Sequence, residues 1–331
     1  MESRRKEIRI LVRLLWLRRK PLLVLRSVEA ERKEKPKETH MASRESLIFD
    51  IEEEGVDRID ASSAPRSAGD IQAIFNALSS NKNTQAVELY ECGITDDAIK
   101  IIADCMKSLT IKELSLGWNR ITPEGAIHFV SSLKGAPLEE LYIAGNNLTD
   151  VTIEKLASLL PETNLKILDL GESALTEKAA SLLAVALPKS SVRELSLGMN
   201  EITDKGIIEI AKVLKDTSLT SLDLGKCQIT QTGVEALAAA LKDASNVNEL
   251  RLSGNNIGDA GVIALAAVLK HSKGLKVLFV DETNLTDVGA KALIDAVNAN
   301  PLVEVVDISL NEKVSPSIEN ELKQILETRN S

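Results

Sequence analysis

Residues 192–203 read VRELSLGMNEIT, and this pattern returns along most of the chain. The other copies are TQAVELYECGIT (84–95), IKELSLGWNRIT (111–122), LEELYIAGNNLT (138–149), LKILDLGESALT (165–176), LTSLDLGKCQIT (219–230), VNELRLSGNNIG (247–258) and LKVLFVDETNLT (275–286), with a weaker one around Val303. The apolar residue near the end of each copy recurs at steps of 27 and then 28 residues, from Ile94 to Leu285. A fixed period of this length is typical of a solenoid built from stacked units.

Each unit has two halves with different periodicity. In the first half, Leu195 and Leu197 alternate with polar residues, as expected of a short strand with one buried face. In the second half, apolar residues recur at helical spacing, as at Ile207, Ile210 and Leu214. Each unit is therefore predicted to form one strand and one helix. Parallel strands stack more closely than the wider helices, so we expect a curved stack with the strands inside.

The pattern LxxLxLxxNxL followed by a helical half resembles the leucine-rich repeats of ribonuclease inhibitor, of NOD-like receptors and of RanGAP. The resemblance covers residues 84–314. It implies an α/β fold, namely a right-handed leucine-rich-repeat solenoid, or horseshoe, with a parallel inner sheet and outer helices. Such a resemblance identifies an architecture and leaves the binding target open.

Two further positions of the repeat are polar. The first follows the strand, where a side chain can pair with buried backbone groups. It is occupied by Asn119, Asn146, Asn200, Asn255 and Asn311, and elsewhere by Cys92, Ser173, Cys227 and Thr283. The second precedes the helical half, where a threonine hydroxyl or an aspartate carboxylate can cap the first free amides. It is occupied by Thr95, Thr122, Thr149, Thr176, Thr203 and Thr286.

The composition agrees with a repeat array and divides the chain by charge. Only 2% of the residues are aromatic, so Leu, Ile, Val and Ala must fill the core. The net charge is -9, but residues 1–26 carry nine Lys and Arg against two Glu. The stretch from Met41 onward is therefore strongly acidic, at about -16. The three cysteines show no CxxC spacing, which favours reduced thiols in an intracellular protein.

The pattern predicts four regions. They are a basic N-terminal extension outside the fold (1–40), an N-terminal capping region (41–83), leucine-rich repeats of 27–28 residues (84–314) and a C-terminal capping helix (315–331). The capping regions have apolar residues on one helical face, as at Ile71 and Phe75 or at Leu322 and Leu326. An open-ended stack needs such covers.

The N-terminal extension leaves several interpretations open. It is basic and amphipathic, but it contains no apolar run of the roughly 20 residues that a membrane-spanning helix needs. Arg13 interrupts the apolar region of any secretory signal. An organellar presequence, a membrane-surface helix formed by residues 1–26, a calmodulin-like target and an unstructured extension remain as alternatives. We predict a cytoplasmic protein, with organelle targeting or membrane association through residues 1–26 as the alternative. The oligomeric state is not predicted.

Sequence motifs for chemistry are missing. Neither GxxxxGK[ST] nor GxGxxG occurs, and His40, His128 and His271 lie far from one another without metal-ligand spacing. We therefore predict a protein that is not an enzyme, with no catalytic residues, no metal and no cofactor.

The residues between the core leucines indicate where a partner binds, because alternation along a strand places them on the inner face of the sheet. Acidic residues dominate there, and both tyrosines of the chain and Trp118 fall on the same face. Exposed aromatic residues surrounded by carboxylates have the composition of an interaction hot spot. The predicted partner-binding residues are Tyr90, Glu113, Trp118, Glu140, Tyr142, Asp169, Glu194, Met199, Asp223 and Glu249.

The predicted function is a scaffold that holds a partner protein, with a basic surface, on the acidic concave face. The resemblance to ribonuclease inhibitor implies the same mode of binding. A nucleic acid is a poor ligand for such a face, because its phosphates are also negative. Two alternatives are a RanGAP-like GTPase-activating protein, which the missing long acidic tail disfavours, and an anchored structural or organellar component.

Overall fold

The computed structural model describes residues 43–54 and 56–330, which belong to one compact unit, Ser43–Ser331. The predictions for residues 1–40, including membrane-surface contact through residues 1–26, lie outside the described residues. Within the described part, short strands alternate with helices along the whole chain.

A single parallel sheet runs through this unit. Its ten described strands are β1 (Arg58–Asp60), β2 (Ala86–Glu88), β3 (Glu113–Ser115), β4 (Glu140–Tyr142), β5 (Ile167–Asp169), β6 (Glu194–Ser196), β7 (Ser221–Asp223), β8 (Glu249–Arg251), β9 (Val277–Phe279) and β10 (Val305–Asp307). Each strand pairs in parallel with its neighbours in sequence order. Equivalent residues of successive repeats face each other, as Leu195 faces Leu222. The predicted strand in each unit is confirmed.

Helices follow the strands. The described helices are α1 (Arg44–Phe49), α2 (Ala68–Ser80), α3 (Asp96–Cys105), α4 (Pro123–Ser132), α5 (Thr149–Leu159), α6 (Glu177–Ala186), α7 (Thr203–Val213), α8 (Gln231–Leu241), α9 (Gly258–Leu269), α10 (Asp287–Ala299) and α11 (Pro316–Asn330). A π-helical turn, Asp50–Glu54, follows α1. Successive helices pack on one another. This arrangement confirms the predicted α/β repeat solenoid with a parallel sheet and a layer of helices.

The core lies between the sheet and the helices. The middle residue of each strand points into it, and Leu114, Leu168 and Leu222 are completely buried. One face of each helix covers these residues, as Ile207 and Ile210 do on α7. Burying one such aliphatic side chain contributes about 1.5–3 kcal/mol. The repeated pattern therefore places a similar apolar layer in each unit, and the stack forms one continuous core.

The asparagines after the strands pair with buried backbone groups, as predicted. The side-chain amide of Asn119 donates to the carbonyl oxygens of Leu89 and Leu116, both at 2.8 Å. Its oxygen accepts from the backbone amides of Cys92, at 2.9 Å, and Ile94, at 3.0 Å. One buried side chain thus links two successive repeats.

The threonine caps follow a more complex pattern than predicted. Thr176 and Thr286 accept from backbone amides of their own helices, whereas Thr95 and Thr122 make no such bond. Thr203 has a φ of +56° and is itself the first residue of α7. Only some of these threonines are therefore side-chain caps: Thr203 begins its helix with a different backbone conformation, whereas Thr95 and Thr122 are extended like Thr176 but make no cap bond.

Aspartates connect the helix starts of successive repeats. The carboxylate of Asp204, at the start of α7, accepts from the backbone amide of Thr230 at 2.8 Å and from its hydroxyl at 2.6 Å. Asp150 binds Thr176 in the same way. The threonine hydroxyl therefore donates to an aspartate of the preceding repeat, in addition to any bond within its own helix.

Candidate functional site

The exposed face of the sheet is formed by the first and third residues of each strand, because the second residue points into the core. The parallel register aligns equivalent residues into two rows, which we together call the inner face. The first row is Arg58, Ala86, Glu113, Glu140, Ile167, Glu194, Ser221, Glu249, Val277 and Val305. The second row is Asp60, Glu88, Ser115, Tyr142, Asp169, Ser196, Asp223, Arg251, Phe279 and Asp307.

The inner face is strongly acidic. Of the twenty side chains that the ten described strands contribute, nine are carboxylates and two are guanidinium groups. Neighbouring strands lie about 4.8 Å apart, so these charges are close enough to add to one another. The face therefore carries a negative potential that attracts cationic groups and repels phosphates.

Carboxylates in the middle of the inner face influence one another. The Tyr142 hydroxyl donates to the carboxylate of Glu140 at 2.9 Å. Burial is the main cause that raises the pKa of the Tyr142 hydroxyl, and the negative charge of Glu140 adds to it. Burial also raises the pKa of the Glu194 carboxyl to about 7, with contributions from Glu249 and Glu140 and an opposing one from Arg251. Glu194 is therefore a carboxylate whose charge depends on pH near neutrality.

A cation occupies the N-terminal end of the inner face. Arg58 on β1 forms ion pairs of 2.6 Å with both Glu88 and Glu113. The bond to Glu113 is the main cause that raises the pKa of the Arg58 guanidinium. Arg58 was not among the predicted site residues, because it lies in the capping region before the repeats that begin at residue 84. Glu113 is consequently already engaged by an arginine of the same chain.

A second cation lies in the C-terminal half of the inner face, on β8. Arg251 is ion-paired with Glu249, and the guanidinium carbon lies 4.5 Å from the centre of the Phe279 ring. Both charged residues are buried, with 8% of Glu249 and 9% of Arg251 exposed. Glu249, a predicted partner-binding residue, therefore offers little surface for direct contact with another protein.

The aromatic residues lie toward the N-terminal half of the sheet. Trp118 follows β3 in a loop, with a φ of +58°, and 41% of its surface is exposed. Its indole lies over Gly145, where an added Cβ would be 2.8 Å from the ring. Tyr90 lies against Gly117 in the same manner. Met199 has a φ of +59° at the position equivalent to Trp118. Trp118 and Met199 thus belong to the loop edge of the sheet, beside the two rows.

The aspartates of the second row also have a local role. Asp169 accepts from the backbone amide of Gly171 at 3.0 Å, and Asp223 accepts from that of Gly225 at 2.9 Å. Both carboxylates remain partly exposed. They therefore stabilise the turn after their strands and contribute charge to the inner face at the same time.

The described cysteines are compatible with a structural role. Cys92 and Cys227 are free and buried, and burial raises the pKa of the Cys227 thiol to about 12.

In residues 43–54 and 56–330, no group of three or more His, Cys, Asp or Glu side chains is arranged to hold a metal ion. No helix in this same part of the chain combines the length and apolar character needed to cross a bilayer.

Comparison with protein families identifies the repeat. A model described as "Leucine Rich repeat" matches residues 107–130, 189–211, 215–238 and 244–266. The chain is a leucine-rich-repeat protein. The matched segments begin at or near the end of one helix and run through the next strand into the following helix, so sequence and structure agree on the same unit. Comparison with curated proteins gave no significant match.

Solved structures resemble this leucine-rich-repeat protein in fold. The crystal structure of the Rad7 and Elc1 complex in yeast is 19% identical, with a TM-score of 0.55, and the match covers 85% of this chain and 76% of that one. Leiomodin-1 actin-binding site 2 is 20% identical over 54% of this chain and 94% of that one, with a TM-score of 0.37. At this identity the Rad7 structure supports the solenoid fold alone.

Proposed function

We propose that this leucine-rich-repeat protein is a scaffold that holds a basic partner protein on its acidic inner face. The observation that carries the proposal is the register of the sheet, which aligns Glu140, Tyr142, Asp169, Glu194 and Asp223 on four neighbouring strands. Their backbone is held rigidly by the ladder of strands, so little conformational entropy is lost when a partner binds.

The aromatic residues supply the second part of the surface. Trp118 and Tyr142 present apolar area beside the carboxylates, and buried aromatic anchors account for much of the binding energy in protein interfaces. The ion pairs of Arg58 on β1 and Arg251 on β8 flank the strands between them. We therefore place the contact with the partner's lysines or arginines between them, on strands β4 to β7. Rad7, which has a similar fold, was solved in a complex with Elc1, and this is compatible with a binding role.

The proposal is tested by affinity capture with matched variants of the full chain. We expect the partner retained by the wild type to be lost with Trp118→Ala/Tyr142→Ala, because the aromatic anchors are removed. Asp169→Asn/Asp223→Asn should weaken the same binding at least tenfold, since asparagine still accepts from the turn amides but lacks the charge.

The control is Asp216→Asn/Asp243→Asn, which removes two charges from exposed positions after helices α7 and α8. This variant should bind like the wild type. A partner that binds all three variants equally would move the interface away from the inner face and refute the proposal.

A further inference from the structure

A row of residues with left-handed backbone runs along the loop edge of the sheet. It consists of the third residue after each described strand, from Ser63 to Leu310, and every member has a φ between +48° and +71°. We call it the loop-edge row. Glycine occupies two of its ten positions, Gly145 and Gly254, and at both of them the side chain of the preceding repeat lies over the glycine.

Lys226 shows what such a glycine permits. A Cβ added to Gly254 would lie 2.5 Å from Cγ and 2.8 Å from Cε of Lys226, so the aliphatic part of the lysine runs over this glycine. The ammonium group thereby reaches the repeat beyond it, where Nζ lies 3.3 Å from the carboxylate of Glu282. A cation laid over a glycine of this row is thus paired with the next carboxylate of the row.

Trp118 occupies the corresponding place over Gly145. A Cβ added to Gly145 would lie 2.8, 2.8 and 3.0 Å from Cγ, Cδ1 and Cδ2 of the indole. Because these three distances are nearly equal, the glycine faces the plane of the five-membered ring and not its edge. Gly145 therefore covers one face of the indole, and the 41% of Trp118 that is exposed includes the opposite face.

Glu172 is the next member of the row after Gly145. It is exposed and lies one strand spacing, about 4.8 Å, further along the stack. Within the described part of the chain, its side chain forms neither a hydrogen bond nor an ion pair. Trp118, Gly145 and Glu172 therefore match Lys226, Gly254 and Glu282 in position, but an aromatic ring takes the place of the cation.

We propose that Trp118 receives an arginine of the partner protein, whose guanidinium stacks on the exposed face of the indole and pairs with Glu172. A guanidinium can make both contacts at once, because its flat face stacks on aromatic rings and its edge donates to a carboxylate. The chain makes the same combination internally, where Arg251 pairs with Glu249 and lies 4.5 Å from the centre of the Phe279 ring. This inference rests on the proposed function and names the partner residue that the loop edge recognises.

A peptide probe tests the assignment on the full chain. In a Trp16→Phe background Trp118 is the only tryptophan, so the fluorescence reports on this site alone. We expect acetylated hexa-arginine to shift the Trp118 emission and to bind about threefold or more tightly than hexa-lysine, which has the same charge. Emission that responds equally to the two peptides, or to neither, would overturn the assignment of arginine.

Gly145 tests whether the position of the indole matters. Gly145→Ala should lower the affinity for hexa-arginine by about threefold or more and change the Trp118 emission, because the new Cβ displaces the ring. Gly135→Ala is the matched control, since Gly135 has a φ of +73° against +71° at Gly145 but no atom within 4 Å of the added Cβ. It imposes similar backbone strain and should bind like the parent. Equal binding by both alanine variants would refute the role of Gly145.

Glu172 is tested without backbone strain. Glu172→Gln should also lower the affinity for hexa-arginine by about threefold or more, because the ion pair is lost. Glu235→Gln, at an exposed position on α8, is its control and should have no effect. Unchanged affinity in Glu172→Gln would contradict the proposed pairing.

The captured partner separates this inference from the proposed function. If Asp169→Asn/Asp223→Asn loses the partner while Gly145→Ala and Glu172→Gln retain it fully, the scaffold is supported and the arginine contact is wrong. A hexa-arginine response at Trp118 without any captured protein would support the arginine site and count against the scaffold.

Discussion

At the scale of single residues, Asn146 and Asn147 show how surroundings decide what one side chain contributes. Asn146 is buried, accepts from the amide of Ile121 at 3.1 Å and donates to the carbonyls of Leu116 and Ile143. Asn147 is exposed. The same residue type therefore has a structural role at the first position and a solvated side chain at the second.

We expect Asn146→Ala to lower the free energy of unfolding by about 3 kcal/mol, because it leaves buried backbone groups without partners. Asn147→Ala should change it by less than about 0.5 kcal/mol. Urea unfolding of the two variants and the wild type measures both values. Equal stability of the two variants would show that the buried asparagine ladder contributes little.

The raised pKa of Glu194 predicts that the stability of the folded protein depends on pH. Its pKa in the folded protein, about 7, lies above that of a free glutamate, so the folded state holds the proton more tightly than the unfolded state. The resulting stability is present below about pH 4.5 and is lost as the pH rises to 7. We expect a loss of about 1–2 kcal/mol between pH 5 and pH 8, reduced from the full shift by solvent screening.

Carbon NMR of the Glu194 carboxyl should show a titration midpoint near 7, and Glu194→Gln should remove this part of the pH dependence of unfolding. Glu235→Gln, at an exposed position on α8, is the matched control and should retain it. A Glu194 midpoint near 4.5 would contradict the assigned environment.

At the scale of elements, helix starts are stabilised across repeats. The carboxylate of Asp204 accepts from the amide and hydroxyl of Thr230 and from the amide of Gly233 at 3.1 Å. The sequence predicted caps by threonine or aspartate, but it did not show that the aspartate of one repeat binds the threonine of the next. The two classes of start differ in backbone conformation: Thr203 has a φ of +56°, whereas Thr230 is extended. The aspartates after Thr149 and Thr203 were the available signal.

Asp204→Ala should therefore destabilise the start of α8, in the next repeat, by about 1–3 kcal/mol. Hydrogen exchange should accelerate for the amides of residues 230–233 more than for those of α7. Asp243→Ala, which removes an exposed carboxylate after α8, should leave this exchange unchanged. Faster exchange confined to α7 would mean that the aspartate acts only within its own repeat.

At the scale of the whole molecule, the excess of carboxylates on the inner face predicts sensitivity to salt. Raising the ionic strength from 50 to 500 mM should weaken binding of the captured partner about tenfold or more, since screening shortens the range of the negative potential. Titration calorimetry at several salt concentrations measures this slope. Asp169→Asn/Asp223→Asn should reduce the slope, and Asp216→Asn/Asp243→Asn should not. A partner whose affinity is independent of salt would argue for apolar contacts instead.

The sequence alone determined the architecture and the acidic, aromatic character of the inner face. A 27-residue repeat allows one strand and one helix in each unit, and strand alternation then assigns residues such as Tyr142 and Asp169 to the exposed face. These conclusions depend only on local periodicity, which can be read directly from the amino-acid sequence.

Only the tertiary structure decided which of those residues are accessible to a partner protein. Arg58 reaches Glu113 from 55 positions away, and Arg251 is buried with Glu249 and against Phe279 of the next repeat. Burial together with carboxylates on other strands sets the proton affinity of Glu194. Ion pairing and desolvation depend on distances between side chains of different repeats, and those distances exist only after the units have stacked.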